Sequence, residues 1–488
     1  MSSKSLTPSA PHGEGRSEGA TKARWLFAVL VLMSSLLVLF GVTVGSTLHT
    51  GTISLDGNLS VDVAKVTTLN LINGGQIDST LAANAISQTG AGVALNLDAT
   101  GGIGATNLIG VDVSSLSAVN RTSGVLRLAP LKDVTLGGAG VVIDQQTAAG
   151  TLTINAGGNI IIANNVTVAG AGTINLSAGN DTVGYPTGAT ITRTASIVPA
   201  ATVTTTGGTV NLGGNAGTKS IGASGTAILT AASNLSAGSA AGDIYVSNTG
   251  ALGNTSVVAV GGLVNLQNTG ALTTGTGNIT SSNNTVTVNA TGLVTNTAAR
   301  TIGLAGGTGT SVTGAGVTNA GTIIAGGGIV SVNAGTGTLS NTGTISNNAS
   351  ANAINLTADK IALTGGAVTS GAGAGAVNIS NSTLTNAINL GSGGTDVTAG
   401  TLELSATELA TITTTGLLTI GNVNNTGAIT VVGAAATTNA TGGTTLINRT
   451  GGIAINDVFT SGTGTSALNL TADGGAGAVG SISSAGAT

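Results

Sequence analysis

The chain has 488 residues, 81 of them Gly, with no Cys, 6% charged residues and a formal net charge of −4. No Cys means neither a disulfide framework nor a thiolate metal site, and no basic patch means no electrostatic footprint of a nucleic-acid binder. Positive mean hydropathy with so little charge excludes the composition of a disordered chain, which pairs low hydrophobicity with high charge. The aromatics are Trp25, Phe27, Phe40, Tyr185, Tyr245 and Phe459, so a core must be built from Val, Ile, Leu and Ala.

Residues 1–24 are polar and carry the basic Lys4, Arg16, Lys22 and Arg24. The stretch from Trp25 to Val44 then passes without a charge, close to the roughly 20 residues a helix needs to cross a bilayer. One apolar helix is expected here, and two membrane readings follow. A cleaved export signal would be cut after Ser46, before Thr47, where small residues follow the apolar run. An uncleaved anchor would keep the basic side in the cytoplasm. Either way residues 51–488 are expected beyond the inner membrane. His12 and His49 flank this segment without an evident partner, so no triad or histidine metal site is expected.

From Gly51 onward the pattern is one of short alternating runs: TLTIN (Thr151–Asn155), TVTVN (Thr285–Asn289), TLEL (Thr401–Leu404) and LLTI (Leu417–Ile420). Side chains two apart share one face of a strand. Leu152 with Ile154 and Leu418 with Ile420 are therefore expected inside, and Thr419 outside. The Gly content opposes long helices. Between the runs lie Asn- and Gly-rich corners, where Gly supplies positive φ and Asn tolerates it. Related corners begin at Asn248, Asn268, Asn319, Asn341 and Asn425. Asn248 to Asn268 is a step of 20 and Asn319 to Asn341 a step of 22, while Asn268 to Asn319 does not fit. An aliphatic-Asn-aliphatic triplet recurs less regularly, at Asn96, Asn175, Asn211, Asn265, Asn355, Asn378, Asn389 and Asn469.

A period of 20–50 residues indicates a solenoid, a propeller or an array. Propeller blades need about 40 residues and aromatic signatures, so the expected class is all-β: a β-solenoid of short strands with Gly/Asn corners over 51–488. A coil of about 21 residues gives roughly twenty coils. NTGAL then returns because the chain has gone once round, and Asn at equivalent corners can stack into a ladder.

Candidate chemistry is sparse. Arg121, Arg127, Lys132, Asp133 and Asp144 form the densest charge. A polysaccharide-active enzyme would need Arg121, Lys132 and Asp133 to converge beside an aromatic; a solvated outer face is the plainer reading. AGNDTVG (Ala178–Gly184) resembles half of a calcium-binding nonapeptide, but tandem copies are absent and an ordinary Asx turn is the plainer reading. Thr-rich runs at Thr151, Thr202 and Thr411 raise ice binding, which needs Thr on successive coils; that placement is not expected. Asn58 and Asn289 head Asn-x-Ser/Thr sites, which matter only in a glycosylating host. No cofactor, metal or catalytic residue is expected.

The stretch TLELSATELATITTTGLLTIGNVNNTGAITVVG (Thr401–Gly433) resembles a repeat of bacterial filamentous-haemagglutinin-like large exoproteins, through Glu408, Leu409, Ile412, Leu418, Ile420, Gly421 and the following Asn-Thr-Gly-Ala-Ile. AINLTAD (Ala353–Asp359) and ALNLTADGGAGAVGSI (Ala467–Ile482) are similar. The resemblance implies a right-handed parallel β-helix, export and adhesion. The function expected is thus an exported, cell-surface or secreted adhesin-like structural protein. Its expected partners are export machinery, the membrane through residues 25–44, and host-cell or matrix glycans or proteins, with no nucleic acid. A fragment of a longer exoprotein fits the same residues. The alternatives are a β-helical polysaccharide-active enzyme and an ice-binding or matrix-forming surface protein.

Overall fold

The structure is a computed structural model that describes residues 41–488 apart from 83, 138–142, 180–188, 194–200, 214–217, 240, 349–350, 372, 394–395, 464–465, 474–479 and 485–488. It is an all-β parallel solenoid of about 16 turns.

One turn shows the construction. Thr285–Ala290, Leu293–Asn296 and Thr301–Leu304 are three consecutive short strands. Gly309–Thr313 then returns onto Thr285–Asn289 in parallel register. The inward residues Val286, Val288, Val294, Ile302 and Val312 are at most 1% exposed. Stacked turns build a 22-stranded wide sheet, a 15-stranded second sheet and a 5-stranded third sheet. Strand alternation selects the interior: Leu152 and Ile154 are fully buried, as are Leu418 and Ile420, while Thr419 faces outward. Each buried Val, Leu or Ile contributes about 1.5–3 kcal/mol, and no turn can close its own interior. The core is therefore one continuous aliphatic column shared between neighbours.

Four details differ from the sequence reading. The apolar run Trp25–Val44 lies outside the described residues up to position 40, and its end is strand: Gly41–Ser46 pairs with Thr68–Asn73, burying Val42 and Val44. Among the described residues no helix is long and apolar enough to cross a membrane. Turns are also longer and less even than 21 residues. Stacked pairs are 20 apart at Asn248/Asn268, 26 at Asn70/Asn96 and 36 at Asn175/Asn211, so fewer turns fit than expected. A five-residue helix, Ala406–Ala410, interrupts the β structure. Finally, TLEL does not alternate: Thr401, Leu402, Glu403 and Leu404 are all buried, because this strand is covered on both faces.

Candidate functional site: polar ladders inside and outside the coil

The repeated asparagines lie inside the coil. Asn248, Asn268, Asn319 and Asn341 are at most 3% exposed. Asn248 Nδ2 donates to Asn268 Oδ1 at 2.9 Å, and Asn268 Nδ2 donates to the carbonyls of Gly270 and Ala271 at 2.8 and 2.9 Å. A second ladder runs from Asn296 through Asn319 to Asn341, each step 2.7 Å. A buried carboxamide is costly unless its donors and acceptor are paired, and at Asn268 and Asn319 the corner backbone and the neighbouring turns supply those partners. Asn425 stacks on Asn381 at 3.4 Å.

The two ladders occupy different corners. Asn248 and Asn268 end strands of the wide sheet, whereas Asn319 and Asn341 end strands of the third sheet. One motif thus serves two corners of the coil, which is why the interval from Asn268 to Asn319 departs from the period. Gly250 has the positive φ expected of a corner, +102°, but Gly270 and Gly343 are required for a different reason. A Cβ on Gly343 would lie 2.0 Å from Gly321 O, and one on Gly270 2.7 Å from Gly250 O. Backbone meets backbone between turns, and only Gly permits it. Asn296, Asn120 and Gln145 belong to the same interior system, with Asn120 Nδ2 donating to Gln145 Oε1 at 2.7 Å, although no Gly corner follows them closely enough to flag them.

Outside, the wide sheet carries a second kind of ladder. One register column passes through Asn265, Thr287, Ser311, Ser331, Asn355, Asn378 and Thr419 on successive strands. The column beside it holds Gln267, Asn289, Thr313 and Asn333. Asn378 donates to Asn355 at 2.8 Å, and Asn289 to Gln267 at 2.9 Å. These columns are uncharged. Neighbouring strands are about 4.8 Å apart, so hydroxyls and amides recur at that spacing along the axis. A shallow groove of about 440 Å³ on the same face is lined by Thr285, Thr287, Thr308, Ser311, Ser331 and Asn352 among others. The runs at Thr151, Thr202 and Thr411 do not stack on one another, but threonines of the second sheet do align over three turns: Thr151 on Thr173 on Thr209, and Thr301 on Thr322 on Thr344.

The charged residues of 121–144 are bound to separate partners. Arg121 makes two hydrogen bonds to Asp98, at 2.8 and 2.7 Å, and these hold its guanidinium above its ordinary pKa. Lys132 pairs with Asp112 at 2.6 Å. Asp133 accepts from the backbone and side-chain nitrogens of Asn159 at 2.7 and 3.1 Å. Arg127 donates to the Ala105 carbonyl, and Asp144 accepts from Thr167 and Gln146. Every one of these contacts joins neighbouring turns except that to Gln146. Tyr245 stands on strand Ile244–Asn248; Tyr185, residues 180–184 of the AGNDTVG stretch, His12 and Trp25 lie outside the described residues. His49 does have a partner, Asn73 Oδ1 at 2.9 Å. Ser46 closes the first strand and Thr47 begins the turn after it, so a cut between them would detach that strand. Among the described residues no group of three or more His, Cys, Asp or Glu could hold a metal.

In the stretch Thr401–Gly433, Leu409, Ile412, Leu418 and Ile420 are core residues and Glu408 is 4% exposed. Gly421 has φ +100°, and a Cβ there would lie 2.1 Å from Ile447 O. Set against protein-family models, curated proteins and solved structures, the chain matches none.

Proposed function

We propose that this chain is an exported, cell-surface or secreted adhesin-like structural protein that binds by broad contact along its solenoid faces rather than in a pocket. The observation that carries the reading is the outer column from Asn265 to Thr419: uncharged, in register, and repeated turn after turn. Such a face offers many weak hydrogen bonds whose sum grows with the number of turns engaged. Neutral host-cell or matrix glycans, or the polar backbone of a matrix protein, are the partners this chemistry suits. The resemblance of Thr401–Gly433 to haemagglutinin-like exoproteins supports the same reading, as does the charge-free run before Gly41 for export. The reading is non-enzymatic, since Arg121, Lys132 and Asp133 each hold a structural partner.

The test is binding of the secreted chain to a panel of neutral glycans and matrix proteins, with Ser331→Lys and Asn355→Lys as variants. Binding that the variants weaken supports the face; binding unaffected by both, or none at all, removes it. The in-register threonines of the second sheet favour ice binding as a second reading, and thermal hysteresis in solution would move the assignment there.

A further inference from the structure

Between wide-sheet strands Val377–Ser380 and Leu418–Gly421 the chain leaves the coil path: the stacked pair Asn381/Asn425 is 44 residues apart. Strand Thr401–Leu404 runs parallel to Ala387–Leu390 in full register and packs on Lys360–Ala362 of the turn beneath. It is an added strand wedged into the wall. The helix Ala406–Ala410 follows and packs on Ala435–Thr437.

Carboxylates fasten this wedge. Glu408 Oε2 accepts from Ser405 N and Oγ, both at 2.9 Å, and its Oε1 accepts from Leu363 N at 3.0 Å, which ties the helix to the turn beneath. Glu403 accepts from Thr398 Oγ1 at 3.0 Å. Asp396 Oδ1 accepts from Glu403 N at 3.4 Å. Glu403 and Glu408 are 7% and 4% exposed. Against these stands the ammonium of Lys360, which donates to the main-chain oxygen of Asp396 at 2.8 Å. Asp359 adjoins it and accepts from Thr383. Ala387–Leu390, Ile412–Thr413 and Ala435–Thr437 carry no charge. The seat is also imperfectly paired. Asn381 Oδ1, Ser392 Oγ and Asn425 Nδ2 are buried without a partner, and each such group weakens the seat. Segments of low local stability are where a protein opens first.

We propose that residues 396–411 form a pH-sensitive clasp on the solenoid wall, seated in acid and loosened at neutral pH. Burial, and next the charge of Glu408, push the Asp396 carboxyl up from 3.8 to about 6. A carboxyl raised in the seated state stabilises that state fully at low pH, and the stabilisation is lost as pH rises through about 6. Its partial exposure to solvent reduces the effect.

The experiment is hydrogen exchange of the full chain at about pH 5 and about pH 7.5, corrected for intrinsic exchange rates. Amides of Thr401–Leu404 and Leu409 should open roughly three- to fivefold more often at the higher pH, while Leu418–Gly421 stays unchanged. Asp396→Asn should remain protected at both. Lys360→Met, which removes the facing ammonium, should move the transition to higher pH. A chain without the pH response overturns the clasp. So does Asp396→Asn responding like the parent, or a Lys360→Met transition that stays in place or moves down.

Discussion

A carboxamide offers two donors and an acceptor oxygen, and Asn319 uses them all inside the coil. It receives Asn296, donates to Asn341 and donates to Thr344 O. Asn319→Ala would leave those groups unpaired in a dry interior. We expect a loss of about 1–3 kcal/mol, read as lost hydrogen-exchange protection across the turns of Leu293–Asn296 and Thr338–Asn341. Asn355→Ala, on the outer column, should cost less than about 0.5 kcal/mol; equal losses would contradict the inside–outside assignment. Gly343→Ala should destabilise by about 1–3 kcal/mol, because its Cβ meets Gly321 O at 2.0 Å and two backbones must part. The Asn-Thr-Gly corners were readable in the sequence as corners. That Gly343 serves close approach rather than positive φ was not, since the neighbour is a backbone atom a full turn away.

At the scale of the strand, period-two alternation was the legible signal, and Leu418, Thr419 and Ile420 follow it. Leu418→Asp puts a charge into the aliphatic column with no partner, a cost of several kcal/mol. Thr419→Lys should be nearly silent. Exchange protection around residues 400–440 should fall for the first alone. The wedge strand hid from this reasoning because Glu403 looks like an outward residue until a second layer covers it. The helix hid because five residues are too few to display a 3.6-residue period. Its one signal was local: Ser405 with Glu408 three residues on, a capping box in which each side chain bonds the other's backbone nitrogen. Ser405→Ala should cost about 1 kcal/mol, measured as faster exchange of the Glu408 and Leu409 amides. The outer columns were also beyond a linear reading. Which Thr or Asn lies beside which depends on turn lengths that vary along the chain, 20 residues at Asn248/Asn268 and 36 at Asn175/Asn211.

Across the molecule, turns touch chiefly their neighbours, so unfolding should proceed in stages rather than as one transition. Ion pairing contributes little. Among the described residues the pairs are Lys65–Asp62, Arg121–Asp98 and Lys132–Asp112, all partly exposed. Surface pairs contribute about 0–1 kcal/mol each and are screened by salt. Urea midpoints at about 0.05 M and about 1 M NaCl should therefore nearly coincide, and a large fall at high salt would reveal electrostatic stabilisation that these contacts do not supply. The two kinds of ladder carry one more consequence. Inside, Asn120, Asn248, Asn296 and Asn319 all donate toward the later turn. Outside, Asn96, Asn211, Asn289 and Asn378 all donate toward the earlier one. Each aligned row of amides is a string of electric dipoles, and the inner and outer strings oppose. Their axial dipoles point against one another and offset in part, so the inner and outer rows do not add up to a single long dipole along the solenoid.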